Sequence, residues 1–176
     1  MLPVSMEILT KAEPCVSVSD FCAHANISSV DDAESALVEG YIAAAEGAVS
    51  REIKRPLGLC SVKFYWPGSA FAALEIGYSP LVSVDAVTVD GEAVTDYSVL
   101  VGTYPAVRLA NAPAADATIA VTATCGWADV PQELRVAVMM LAAGFYEHRT
   151  DQHEGALTNV RAFERLIAVY KQEHAY

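Results

Sequence analysis

Two histidines and three carboxylates fall within the eight residues Glu147-His148-Arg149-Thr150-Asp151-Gln152-His153-Glu154, enough donor atoms for a divalent metal. The spacing argues against a zinc centre. Ligand pairs on a helix stand three or four residues apart, whereas these histidines are five apart across an expected helix end. The segment reads as a solvated helix terminus and loop, and no metal ligand is assigned. Nucleophilic chemistry finds still less support. There is no Gly-x-Ser-x-Gly elbow, and His24, two residues after Cys22, points away from it on a helix. The four cysteines, Cys15, Cys22, Cys60 and Cys125, contain no close pair and read as buried free thiols of a reducing cytoplasm. Neither a Walker loop nor a Gly-x-Gly-x-x-Gly cradle is present.

Three further groups could do work, and each also has a plainer reading. Asp31-Asp32 could exchange protons, but Asp31 is better placed to cap a helix. Arg51, Lys54 and Arg55 could contact DNA or a partner; they also sit where cations offset the negative end of a helix dipole. Tyr65, Trp66, Phe71 and Tyr78 could form a stacking platform, although aromatic residues in strands more often fill cores or interfaces. No catalytic residue and no cofactor is assigned, and the chain is not expected to be an enzyme.

The elements around these residues run helical, then β, then helical. Ser17 and Asp20 open a short helix to about Ala25, with Asn26 as its stop. Asp31 and Glu34 open a longer helix over 32–55, whose apolar residues Leu37, Val38, Tyr41, Ile42, Ala45, Ala48, Val49 and Ile53 recur every three or four positions. Its Ala43-Ala44-Ala45 stretch keeps it thin, and Pro56 ends it. Residues 60–127 alternate as strands: Ser61–Trp66, Ala72–Ile76, Val82–Val89 with a bulge between Val84 and Val87, an Asp90-Gly91 hairpin turn, Tyr97–Val101, Val107–Leu109 and Thr118–Cys125. Pro131 opens a helix over 132–148 that is apolar nearly all round, so it must be buried on more than one side. A last helix runs from Val160 to about Lys171. The fold class is α+β: a small helical bundle with an antiparallel β-rich insertion. Residues 1–16 are expected to be an N-terminal arm, 17–150 the main domain, and 151–176 a loop and C-terminal helix.

The charge balance narrows the function classes. With 22 acidic against 11 basic residues, a net of −11 in 176 residues disfavours a dedicated nucleic-acid binder and an anionic membrane surface alike. Residues 56–130 hold only two cations, Lys63 and Arg108, against seven carboxylates, whereas residues 131–176 are nearly neutral with five against six. The longest apolar run, Val136 to Tyr146, has 11 residues, short of the roughly 20 a membrane span needs. No basic, then apolar, leader opens the sequence, so no secretory signal is expected.

The order of several short segments carries a resemblance. The capped, Ala-rich helix from Asp31-Asp32-Ala33-Glu34 to Ile53 comes first, then Ser79-Pro80-Leu81-Val82-Ser83-Val84-Asp85-Ala86-Val87, Asp90-Gly91 and Asp96-Tyr97. Cys125-Gly126-Trp127, Val130-Pro131-Gln132-Glu133-Leu134 and Phe145-Tyr146-Glu147-His148-Arg149 follow. Over about residues 17–150 the chain resembles the head–tail connector (adaptor, or head-completion) family of long-tailed bacteriophages and prophages.

That resemblance implies a structural virion protein at the head–tail interface, made in the host cytoplasm. Copies of it, usually twelve, would form a ring beneath the portal protein and extend the DNA channel after packaging. The ring would present a surface to a stopper or tail-completion protein, with DNA passing through unbound in any sequence-specific way. The C-terminal helix is then the expected portal contact, through Phe163, Leu166, Ile167 and Tyr170. Lateral ring contacts suit the all-round apolar helix and the thin one, at Val136, Met140, Tyr41 and Ala44. Another neck component, such as a tail-completion protein, is the alternative, and a metal-binding enzyme using Glu147–Glu154 is a more distant one.

Overall fold

The computed structural model describes residues 2–70, 73–102, 104–148 and 160–172. The chain divides into two compact units, one β and one helical, and passes between them at 13/14, 57/58 and 128/129. The α+β class holds. The β region, however, is a unit with its own core rather than an insertion carried by a bundle.

In the β unit, strands β1 (Ser5–Thr10), β2 (Cys60–Pro67), β3 (Leu74–Glu75), β4 (Leu81–Val89), β5 (Glu92–Ala93), β6 (Tyr97–Leu100), β7 (Ala106–Leu109) and β8 (Thr118–Cys125) form two antiparallel sheets. The larger has the order β1-β2-β8-β4-β5 and the smaller β3-β7-β6. Alternation is the reason β2 forms where it does. Cys60, Val62, Phe64 and Trp66 are buried while Ser61, Lys63 and Tyr65 face the other way. The register sets Val62, Phe64 and Trp66 opposite Ala123, Val121 and Ile119 of β8. These residues share one core with Val87, with Leu74, Val107 and Leu109 of the smaller sheet, and with Ile76 just after β3. The expected bulge in β4 is present, and a second one accompanies it: the register shifts between Leu81 and Ser83 and between Val84 and Ala86. Asp90 and Gly91 both take positive φ (51° and 87°), the backbone a two-residue hairpin between β4 and β5 requires. Gly126 is constrained by space as well as by its φ of 107°, since a Cβ there would lie 2.0 Å from the Gly58 carbonyl oxygen.

Residues 1–16, expected as an arm, contain β1. Ser5, Met6, Glu7 and Ile8 pair with Tyr65, Phe64, Lys63 and Val62 of β2, making β1 an edge strand of the larger sheet. The strand from Tyr97 also differs from expectation. It does not return along β4; only Glu92 and Ala93 do so, and Tyr97–Leu100 pair with β7 in the smaller sheet.

The helical unit contains α1 (Val18–Ala25), α2 (Asp32–Ile53), α3 (Gln132–Glu147) and α4 (Val160–Ala168). Ser17 and Asp20 make a reciprocal capping box on α1, and Asn26 closes it in the left-handed conformation. On α2, Val38, Ile42, Ala45, Val49 and Ile53 form the buried stripe. The all-round apolar character of α3 is explained by its neighbours: it packs against α1, α2 and α4, burying Leu134, Ala137, Val138, Met139 and Ala142. Arg135 on α3 pairs with Asp20 at 3.2 Å. Hydrogen bonds from Ser17 and that guanidinium hold the Asp20 carboxyl below its usual range.

Candidate functional site

The residues singled out for chemistry do not converge. Glu147 is the last residue of α3 and His148 caps it, its N–H donating to the Gly144 carbonyl. Residues 149–154, with His153, lie outside the described residues. Among the described residues no three His, Cys, Asp or Glu side chains are grouped to hold a metal. Asp31 is an N-cap: its carboxylate accepts the Glu34 N–H at 2.8 Å, and Asp32 lies in the first turn.

Two of the four thiols are buried as expected, whereas Cys15 and Cys22 are only half-buried. Cys60 and Cys125 stand opposite each other in the β2–β8 register, both buried, with the Cys60 Sγ 3.6 Å from the Cys125 carbonyl oxygen. Burial pushes the Cys125 thiol up to about 12, and burial with the neighbouring Glu46 does the same to Cys15. Neither is a thiolate near neutral pH, so neither is an activated nucleophile.

The aromatic platform does not assemble. Trp66 is buried beside Phe64 (ring centroids 6.0 Å apart), and Tyr78 meets the same Phe64 at 6.3 Å. Tyr65 is on the opposite face of β2. There Lys63 lies over its ring at 5.5 Å, and its hydroxyl donates to Glu7 at 3.3 Å. Phe71 lies outside the described residues. Strand alternation alone separates Tyr65 from Trp66.

Of the basic trio, Arg51 and Lys54 are exposed at the end of α2, and Arg55 is half-buried. Lys54 is the left-handed cap (φ 57°), its N–H donating to the Ser50 carbonyl, and the Ser50 hydroxyl donates to the Arg55 carbonyl at 2.7 Å. The trio therefore closes a helix while leaving two cations at the surface of an acidic chain.

The residues expected at ring contacts all belong to the helical unit. Ala44 is exposed on α2, and Tyr41, Val136 and Met140 are half-buried. Tyr41 meets the Tyr146 ring edge-on at 6.4 Å, and the Tyr146 hydroxyl donates to Glu34. On α4, Phe163, Leu166 and Tyr170 are half-buried, whereas Ile167 is fully buried. The segment after α4 is tied back: the Gln172 N–H donates to the Ile53 carbonyl at 3.0 Å, Lys171 pairs with Glu52, and the Tyr170 hydroxyl donates to Glu133 at 3.1 Å. A portal contact through the Ile167 side chain would thus require α4 to leave the unit, and removing α4 would uncover part of its core.

Two apolar surfaces escaped the sequence reading. Every residue of β1 is exposed, including Met6, Ile8 and Leu9, with Val4 before it. The β6 end of the smaller sheet exposes Val99, Leu100, Val101 and Tyr104. Alternating Met6, Ile8 and Thr10 was the available signal for β1, obscured by Pro3 and Pro14 on either side.

No protein-family model matches the chain, and no curated protein sequence matches it. Solved structures do. A chain from the neck of an empty gene transfer agent (GTA) particle, computed with C6 symmetry, superposes with a TM-score of 0.79 at 20% identity over 98% of both chains. One from the virion of the native particle gives 0.80 at 18% identity, again over 98% of both. One from the native neck, computed with C12 symmetry, gives 0.76 at 19% identity, with the same coverage. The chain shares its fold, end to end, with proteins of the neck and virion of these particles. Among the described residues no helix is long and apolar enough to cross a membrane.

Proposed function

We propose that this chain is a structural virion protein that forms an oligomeric ring adaptor between a phage portal and the next neck or tail protein. The observation that carries the reading is the full-length fold match to neck and virion proteins of gene transfer agent particles. It agrees with the connector-like order of sequence segments, and the described members of the chemistry-bearing set serve as caps, core and surface. The role is non-enzymatic, and its place is the head–tail interface of a particle.

In this reading the ring extends the DNA channel, and a net charge of −11 suits that task, because an acidic wall repels the phosphates and lets DNA slide. Arg51, Lys54 and Arg55 are the proposed local contact to DNA or to a partner. Tyr41, Ala44, Val136 and Met140 are proposed ring contacts of the helical unit. The portal contact is proposed at α4, where half-buried Phe163, Leu166 and Tyr170 offer their outer edges and Ile167 anchors the helix from within. A stopper or tail-completion protein is the proposed partner on the far side.

The test is co-purification with the cognate portal ring, followed by electron imaging of the complex. A coaxial ring of this chain on the portal supports the adaptor role. A chain that ignores the portal but binds the end of a tail tube would instead identify a tail-completion protein.

A further inference from the structure

We propose that β1 of one copy adds to β6 of the next, so that lateral ring contacts run through the two open strand edges of the β unit. The proposal rests on the ring reading above and names the surface that closes the ring.

Among the described residues, β1 ends the larger sheet and β6 ends the smaller one, and nothing pairs with the outer edge of either. Edge strands in a protein that avoids self-association are shortened, bulged or charged. The other edge of the larger sheet follows that rule: β4 carries two bulges, exposes Asp85, and is capped by the two-residue β5. The β1 and β6 edges follow it less: β1 shifts register once, at its end between Ile8 and Thr10, and the four-residue β6 pairs without a shift. Over Ser5–Thr10 the sole charge is Glu7, while Met6 is 39% and Ile8 47% exposed. Over Tyr97–Leu100 there is no charge, and Val99 is 39% and Leu100 43% exposed.

The two edges also fit each other. Met6 and Ile8 stand opposite the buried Phe64 and Val62, so they continue the core-side face of their sheet beyond its cover. Tyr97 and Val99 stand opposite the buried Leu109 and Val107 and do the same for theirs. An antiparallel register that sets Glu7 against Ser98 brings Met6 to Val99 and Ile8 to Tyr97, apolar face to apolar face. It also places Glu7 beside Arg108, which is Ser98's neighbour on β7. Lys63 and Arg108 are the only cations between residues 56 and 130. Each lies one strand in from one of these edges, so Glu7 would sit between them. Copies that each carry −11 can approach where the surface is apolar and the charge is matched. Joining two different edges makes a head-to-tail contact, the kind that generates rings.

The experiment is disulfide cross-linking of the full chain during assembly on the portal, with particle mass measured in parallel. In a chain with Cys15 and Cys22 replaced by Ser, because both are free and half-buried, the Met6→Cys, Val99→Cys double variant is expected to give a ladder of multimers on a non-reducing gel. Equimolar single variants are expected to stop at dimers, and either single variant alone to give none. Circular dichroism checks that each variant folds, as the exposure of both sites leads one to expect. Rings of full mass without a ladder would overturn the β1–β6 contact and leave the ring reading intact. A dimer from Met6→Cys alone would overturn it in favour of a symmetric β1–β1 pair. Absence of any ring by mass would remove the ring reading, and the proposal with it.

Discussion

Replacing Ile167 with Ala tests whether α4 is a structural member of the helical unit or a detachable docking tail. Ile167 is 0% exposed. The substitution removes three buried carbons, worth about 2.4 kcal/mol at about 0.8 kcal/mol each. The cavity left behind adds to this, within the roughly 2–5 kcal/mol seen for such truncations, so about 3 kcal/mol is expected. For a domain of this size that lowers the melting temperature by about 6–12 °C. Val169→Ala, at 86% exposure, is the matched control and should shift stability by less than about 0.5 kcal/mol. The two units can be followed separately. Both tryptophans, Trp66 and Trp127, lie in the β unit, so fluorescence reports that unit while far-ultraviolet circular dichroism is dominated by the helices. The loss should appear in the dichroism melt. An Ile167→Ala variant that melts with its Val169→Ala control would refute the packing argument and restore α4 as a free tail.

Gly126→Ala should destabilise the β unit by fluorescence, since the new Cβ meets the Gly58 carbonyl at a backbone φ of 107°; a normal melt would contradict that close approach. Asp31→Ala removes the α2 cap and should cost about 1 kcal/mol, read as a drop of about 2–4 °C in the dichroism melt. Cys125 should resist a thiol-specific disulfide reagent in the native state at neutral pH and react on unfolding, which mass spectrometry of the labelled chain checks. Its folded-state value is raised, so the stability it contributes is fully present below the ordinary thiol value of 9.0. That contribution is lost as the pH rises toward about 12. Alkaline melts of a Cys125→Ser variant should therefore show a weaker loss than the parent chain over that window.

Local signals made much of this fold legible. The capping pair Ser17/Asp20, the Asp31 cap, the Asn26 stop and Pro131 locate helix ends because each acts within a few residues of where it sits. The Asp90-Gly91 turn and the phase slip in β4 are local for the same reason. What escaped depends on pairing across the chain. β1 joins β2 across more than fifty residues, as in the Ser61 N–H to Thr10 hydroxyl bond, and no periodicity in either segment announces the other. The strand at Tyr97 looked like a continuation of the hairpin, and only tertiary pairing sends it to β7. That same nonlocal information makes two sheets, and hence an independent β unit, out of what read as an insertion. The proposed assembly surface was equally hidden: exposure of Met6 and Val99 is a property of sheet edges, not of apolar residues in a sequence. Ile167 illustrates the converse. Its helical spacing marks an apolar face, but sequence cannot say whether that face meets the chain's own core or another protein.

The account stands most directly on whether this chain forms a ring on a portal. Native mass spectrometry and electron imaging of the chain mixed with its cognate portal measure that in one preparation. A closed ring of identical copies, coaxial with the portal and on its outer end, is the predicted result. A chain that remains monomeric in the presence of a portal ring competent for assembly would contradict the account at its centre.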